Sequence, residues 1–234
     1  RNEKVMTVSE STKLDVLKLG IFKPENICIV NPGVDVLPLK VKVEKTTNPS
    51  LLYLGRLKPY KNVDIAIKSF QKVLVAFPNA ILNIAGEGDC DGSLRDLVKD
   101  LNMESSVVFH GRVSEEDKTK LYAESWLMVQ PSSHEGWGIT VIEANLMGTP
   151  VIASDIPGLR DSVVDGKTGI LVRPKSVTGF AQAITKLIKK DPLREKMSHA
   201  GIERAKKFNW SENTDIFLSA IHRYYLNYNY SESK

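Results

Sequence analysis

The sequence predicts an open, doubly wound α/β fold around a parallel sheet, Rossmann-like in pattern. Three observations carry that expectation. Short apolar runs of strand length alternate with amphipathic segments of helix length, the pattern of a parallel sheet covered on both faces. Several runs end in turns that combine glycine or proline with charged residues, as the ligand-bearing carboxyl ends of such sheets do. Composition is ordinary for a soluble globular protein, 42% hydrophobic and 26% charged. The 234 residues are enough for one large domain, or a domain plus a fragment.

Residues 1–35 read differently from the rest. Residues 5–8 form a short strand. Ser9 or Ser11 caps a helix carrying Leu14, Val16, Leu17 and Leu19, and Gly20 closes it. Residues 27–30 form a second strand, and Asn31-Pro32-Gly33 turns the chain. On these residues alone the region is a plain βαβ start. Residues 40–49 are polar and read as a loop.

The regular alternation follows, with strands at 51–54, 81–85, 107–109, 127–129, 151–153 and 170–172. The first connecting helix places Val63, Ala66, Ile67, Phe70, Val73, Leu74 and Phe77 on one face, and Pro78 stops it. Further helices span 93–101 and 115–123, the second capped by Ser114 with Asp117. Residues 139–147 are too long and too densely apolar for another short strand, and read as a helix. After Pro174 come three amphipathic helices, 178–189, 192–206 and 211–225. Residues 228–234 read as a frayed tail. There is no internal repeat.

Net charge is +4, which favours anionic ligands or an acidic membrane surface and does not point to nucleic acid. Cys28 and Cys90 lack the spacing of metal ligands or of a disulfide framework, so a reducing cytosol is the default. No run reaches the length of a membrane span. The chain opens on Arg1-Asn2-Glu3-Lys4 with no initiator Met, and is expected to be a piece of a longer protein.

The most informative stretch is Pro131-Ser132-Ser133-His134-Glu135-Gly136-Trp137-Gly138-Ile139-Thr140, a strand end, a glycine-rich turn and a helix start. The first N–H groups of a helix lack internal partners and can hold a phosphate. Glu135 precedes the glycines and Glu143 lies in the first turns of the helix, seven residues between them. Helical side chains lean toward the N-terminus, so Glu143 reaches back to the pocket mouth. A ligand with phosphates in the middle and hydroxyls at both ends fits: Glu135 on sugar hydroxyls, Glu143 on ribose hydroxyls. The plainer alternative also stands on spacing alone, with Glu143 a dipole-favoured surface glutamate and Glu135 a turn residue.

Arg56 and Lys61 follow the strand at 51–54. A guanidinium fork and an ammonium there suit phosphate oxygens, against the alternative of a solvated basic loop, which fits Lys58. Gly86, Gly88 and Gly92 form a loosened dinucleotide fingerprint; plain turn geometry explains them as well. His110 and His134 tempt as acid–base groups, but His110 ends a strand and His134 has no visible partner. Asp155-Ile156-Pro157-Gly158 lies at a ligand-side strand end where a polar role is open, but turn chemistry suffices; Trp137 either packs under its loop, the favoured reading, or floors the sugar site.

The E-x7-E frame of Glu135 and Glu143 around Gly-Trp-Gly resembles the motif of the retaining, GT-B-fold glycosyltransferases of family 4. Other stretches match in the family's order: Val5-Met6-Thr7-Val8-Ser9-Glu10-Ser11-Thr12-Lys13, Asn31-Pro32-Gly33-Val34-Asp35, Gly55-Arg56-Leu57, Lys61-Asn62 and Gly86-Glu87-Gly88. Phe109-His110-Gly111-Arg112-Val113, Gly148-Thr149-Pro150-Val151 and Asp165-Gly166-Lys167-Thr168-Gly169 continue it. The likeness runs to about Trp210.

The resemblance implies that the chain is the C-terminal, donor-binding half of a retaining hexosyltransferase. Residues 1–35 would be the end of an N-terminal domain and the crossing, 36–209 the nucleotide-sugar-binding domain, and 210–234 the helix that crosses back, with Ile216, Phe217, Ile221, Tyr224 and Tyr225, and its tail. It implies catalytic roles for Glu135, Arg56 and Lys61. It implies donor contacts at Gly55, Gly86, Val113, Gly136, Trp137, Gly138, Ile139, Thr140 and Glu143. It implies a nucleotide-diphosphate sugar as donor and no metal or other cofactor. A lipid or saccharide acceptor, and any peripheral membrane contact, would belong to the missing N-terminal half, so the chain alone is expected to be inactive in transfer in the cytoplasm. A sugar-nucleotide epimerase and a non-catalytic nucleotide-binding module are the alternatives on the same fold. A Rossmann oxidoreductase is disfavoured because no acidic residue ends the strand at 107–109.

Overall fold

The computed structural model describes residues 4–35 and 43–232. The expected boundary at residue 36 and the start of the 40–49 loop fall outside those residues. The chain forms a small parallel pair, β1 (Val5–Thr7) and β2 (Ile27–Ile29), joined by α1 (Glu10–Lys18), and then a six-stranded sheet. Its strands are β3 (Ser50–Leu54), β4 (Ile81–Ala85), β5 (Val107–Gly111), β6 (Leu127–Gln130), β7 (Val151–Ser154) and β8 (Gly169–Val172). All neighbours are parallel, in the order β5-β4-β3-β6-β7-β8. Counted from β3, this is the 3-2-1-4-5-6 order of doubly wound dinucleotide folds.

Alternation along β3 shows how the sheet is covered. Leu51 and Tyr53 face one cluster with Phe70, Ile67, Phe180 and Ile184; Leu52 faces the other with Tyr122, Met128, Val141 and Leu159, all fully buried. The first face is covered by α2 (Val63–Leu74), α3 (Asp91–Asp100) and α7 (Val177–Lys189). The second is covered by α4 (Glu115–Glu124), α5 (Ile139–Leu146) and α6 (Pro157–Ser162). Burial on both faces explains why the strands read as continuous apolar runs rather than alternating ones.

Strand positions follow the sequence reading, most of them extended by one or two residues. Ser9 is the cap of α1: its Oγ accepts from Thr12 N at 3.1 Å. Ser114 caps α4, accepting from Asp117 N at 3.1 Å. Two elements differ. The Asp155–Gly158 turn opens into the helix α6; Pro157 sits at its first positions, where a missing N–H costs nothing. The expected frayed tail is helical to Glu232 in α9 (Trp210–Glu232), because no Gly or Pro follows residue 210 to stop it.

The helix α8 (Asp191–Ala205) packs on α5 and leads back to residues 33–34. Val34 N donates to Phe208 O at 2.7 Å, and Gly33 lies against Trp210 so closely that a Cβ would stand 2.5 Å from the indole. Beyond Trp210, Ile216, Phe217, Leu218 and Ile221 are exposed, as are Leu14 and Leu19 of the first unit. No helix among the described residues is long and apolar enough to cross a membrane.

Candidate functional site

In a doubly wound sheet, the loops after the two central strands leave toward opposite faces and open a crevice between them. Here those strands are β3 and β6. After β3 the chain enters α2 on one face; after β6 it enters α5 on the other. The crevice is therefore bordered by residues 55–62 and 131–138, the two stretches that carry Arg56, Lys61 and Glu135.

The loops are tied together across it. Ser133 N donates to Tyr60 O at 2.8 Å, and Asn62 Nδ2 donates to Pro131 O at 3.1 Å. Asn62 adopts φ 49°, a left-handed conformation that asparagine tolerates, and so starts α2 just after Lys61. Lys61 Nζ then meets Glu135 Oε1 at 2.5 Å, with only 11% and 12% of the two side chains exposed. Gln130 Nε2 and Ser132 Oγ also donate to Oε1, each at 2.8 Å. Three donors thus converge on one oxygen of Glu135, while no described residue donates to Oε2.

Behind the loop, Gly158 of α6 lies against Glu135 so closely that a Cβ would stand 2.0 Å from the Glu135 carbonyl oxygen. Ser9 Oγ donates to Gly136 O at 2.9 Å, so the first unit also touches this turn. Gly138 caps α5 at φ 83°, without a side-chain hydrogen bond. Among the described residues nothing accepts from the N–H of Ile139 or Thr140, so two donors at the positive end of α5 open beside Glu135.

On the other side of β3, Gly55 N donates to Ala85 O at 3.0 Å and Gly86 N donates to Gly111 O at 2.7 Å. Gly86 has φ 135°, and a Cβ on it would stand 2.0 Å from Gly55 O. The backbone after β4 is thus pressed onto that after β3. Gly88 packs on Leu57 in the same way, whereas Gly92 meets nothing within 4 Å. Close backbone packing, rather than a full dinucleotide fingerprint, accounts for Gly86 and Gly88.

The remaining candidates separate clearly. Arg56 is exposed; its Nη2 donates to Tyr60 OH at 2.7 Å, and among the described residues it has no carboxylate partner. Lys58 pairs with Asp89 at 2.6 Å. Val113 is half-buried, its side chain packed on the second core cluster. The Trp137 ring is buried edge-on to Phe208, centroids 5.1 Å apart, so its side chain packs rather than floors a pocket. His134 is exposed, and His110 Nε2 meets Asn83 Oδ1 at 2.8 Å; burial lowers the His110 pKa. Asp155 pairs with Arg160, whose hydrogen bond lowers the carboxyl pKa.

Glu143 is buried between α4 and α5. Lys118 Nζ donates to its Oε1 at 2.9 Å and Tyr122 OH to its Oε2 at 2.8 Å. Burial would lower the Lys118 pKa, but hydrogen bonds from its ammonium to Glu115 and Glu143 raise it overall. Burial, then the charge of Glu143, raises Tyr122 well above the ordinary phenol. Gln130, Ser132, Lys118 and Tyr122 were not singled out from the sequence. A polar residue ending an apolar strand, Gln130 after Val129, was the one available signal; the other three became visible only through their partners.

The sequence model of the family described as glycosyl transferases group 1 matches residues 39–204. A D-inositol 3-phosphate glycosyltransferase of Corynebacterium aurimucosum is 27% identical over 232 residues, covering 88% of this chain and 53% of that protein. A glycogen synthase of Mycobacterium tuberculosis is 28% identical over 228 residues, covering 94% of this chain and 55% of that protein. The chain spans about half the length of the curated relatives it matches. Among solved structures, TarM of S. aureus in complex with fondaparinux, alpha-GlcNAc-glycerol and UDP superposes with a TM-score of 0.83 at 24% identity, covering 93% of this chain and 43% of that one. HepE of Anabaena in complex with UDP and glucose gives 0.83 at 20% identity, covering 94% and 63%. At such identities the likeness concerns the fold, which is that of the GT-B glycosyltransferases.

Proposed function

The chain belongs to the glycosyl transferases group 1 family, and we propose that it is the donor-binding half of a retaining, family 4 enzyme. The donor is a nucleotide-diphosphate hexose, and the acceptor a lipid or saccharide held by parts of the protein outside these 234 residues, where any membrane contact would also lie. The observation that carries this reading is the crevice between β3 and β6. It sets a cation, a carboxylate with one open oxygen and two free helix N–H groups side by side. Family membership favours transfer over epimerisation.

In this reading the diphosphate lies at the N-terminus of α5, on the N–H groups of Ile139 and Thr140. Arg56 and Lys61 supply positive charge, and a divalent ion is not required. Negative charge grows on the diphosphate as the sugar departs, and preorganised donors there stabilise that charge most. Glu135 accepts from sugar hydroxyls through Oε2. Its other oxygen is held by Lys61, Gln130 and Ser132, which fixes the carboxylate as a positioning group for the sugar. Glu143 faces the ribose, and the backbone near Val113 the base.

Calorimetry with UDP, GDP and ADP and the matching sugar nucleotides, run in excess chelator, tests the proposal. At least one nucleotide should bind, and its sugar nucleotide with it. No binding by any of them would remove the donor-site reading. The chain by itself should bind donor without turnover, because donor and acceptor are not held together and the proximity contribution, up to roughly 7–11 kcal/mol, is missing. Robust transfer by the 234-residue chain would overturn that part.

A further inference from the structure

We propose that Lys118 and Tyr122 are positioning residues that turn Glu143 into a reader of the ribose hydroxyls; this rests on the donor-site reading above. Glu143 is 8% exposed, yet it sits at the junction of two helices whose N-terminal ends both lie at the carboxyl edge of the sheet. Lys118 and Tyr122 lie one turn apart on one face of α4, and each takes a different oxygen of the carboxylate, at 2.9 and 2.8 Å.

A buried ion pair is a poor device for simply joining two helices, since an apolar pair of similar volume does so at least as well. What the pair does supply is orientation. A carboxylate offers about four lone-pair sites, two on each oxygen. The protein uses one on each, so one site on each oxygen remains, in a fixed plane, which is the pattern that two vicinal hydroxyls require. Tyr122 cannot yield, because its ring is fully buried with Leu52, Met128 and Val141. Lys118 is held a second time by Glu115 at 2.6 Å. Placement along the chain agrees: Val113 precedes the cap Ser114, and Lys118 lies in the first turn or so of α4, so the segment assigned to the base leads into the helix that holds the group assigned to the ribose.

The test is calorimetry with UDP and 2′-deoxy-UDP, or with the GDP or ADP pair if that base binds more tightly. The wild type should prefer the ribonucleotide at least about tenfold, the scale of one hydrogen bond to a charged group. Tyr122→Phe and Lys118→Met should each reduce that preference to within about threefold by weakening the ribonucleotide alone. Lys118→Arg, which keeps charge and reach, should restore most of it. Arg56→Ala should weaken both ligands and leave the preference intact. Folding of each variant is checked by circular dichroism, and the Lys118 pair carries the test if Tyr122→Phe does not fold. Nucleotide binding with an unchanged preference in the folded variants, or equal losses for both ligands, would overturn the inference alone. Absence of any nucleotide binding by the wild type would overturn the donor-site reading with it.

Discussion

Lys61 and Glu135, separated by 74 positions in sequence, meet at 2.5 Å across the crevice between β3 and β6, both nearly buried. The pair joins the two loops that leave the sheet in opposite directions, and it neutralises each partner in the absence of ligand. A diphosphate arriving at α5 would compete for the ammonium, which still has donors to offer, and leave Glu135 for the sugar.

Arg56 and Lys61 should therefore behave differently when removed. Arg56→Ala, at an exposed position, should leave the urea midpoint nearly unchanged and weaken nucleotide-diphosphate binding by about 1.5–3 kcal/mol. Lys61→Met should weaken binding and also destabilise the fold by about 3 kcal/mol, since it strands a nearly buried carboxylate. Unchanged affinity in both variants would take these residues out of the site.

The two carboxylates should divide the ligand between them. Glu143→Ala should weaken free nucleotide binding. Glu135→Ala should spare the free nucleotide and weaken only the sugar nucleotide, by about 1–3 kcal/mol. Equal loss of free nucleotide in both variants would mean that the roles are not separate.

Glycine substitutions should report the packing behind the site. Gly158→Ala would drive a Cβ into the Glu135 carbonyl, 2.0 Å away, and should cost roughly 2–4 kcal/mol in urea unfolding while weakening sugar-nucleotide binding. Gly92→Ala, with nothing within 4 Å and a place in the first turn of α3, should be neutral or stabilising by up to about 0.5 kcal/mol. Similar effects at the two positions would contradict the geometry.

Lys45 gives a pH dependence. Its ammonium turns inward onto Ser125 O at 2.7 Å and Thr149 Oγ1 at 2.6 Å, and burial, with the charge of Arg194, lowers its pKa to about 8. Between that value and the ordinary lysine value of 10.5 the unfolded chain keeps a proton that the folded one has released. Stability relative to Lys45→Met should thus rise with pH across this window and be lowest below pH 8. Lys45 as a whole residue is exposed and solvent screens the field, so the change should be roughly 1 kcal/mol. Denaturation midpoints of both proteins at several pH values measure it, and a flat difference would show that the ammonium is solvated.

The sequence by itself determined the doubly wound sheet, because apolar period and strand–helix alternation are local properties. Buried strands such as 81–85 and capped helices such as that after Ser114 could be read from neighbours alone. It also determined which loops carry charge beside glycine. Tertiary structure alone decided what those charges meet. Pro157-Gly158 reads as a turn in any local window; only the approach of the Glu135 backbone shows why glycine stands within a helix there. Lys61 reads as a cation in need of an anionic partner, and only the pairing of β3 with β6 shows that Glu135 is that partner; Glu143 stays open between a ribose ligand and a surface glutamate until α4 brings Lys118 and Tyr122 over it. Hydrogen bonds and ion pairs depend on positions in space to within a few tenths of an ångström, and for residues far apart in sequence only the packing of the whole sheet sets those positions.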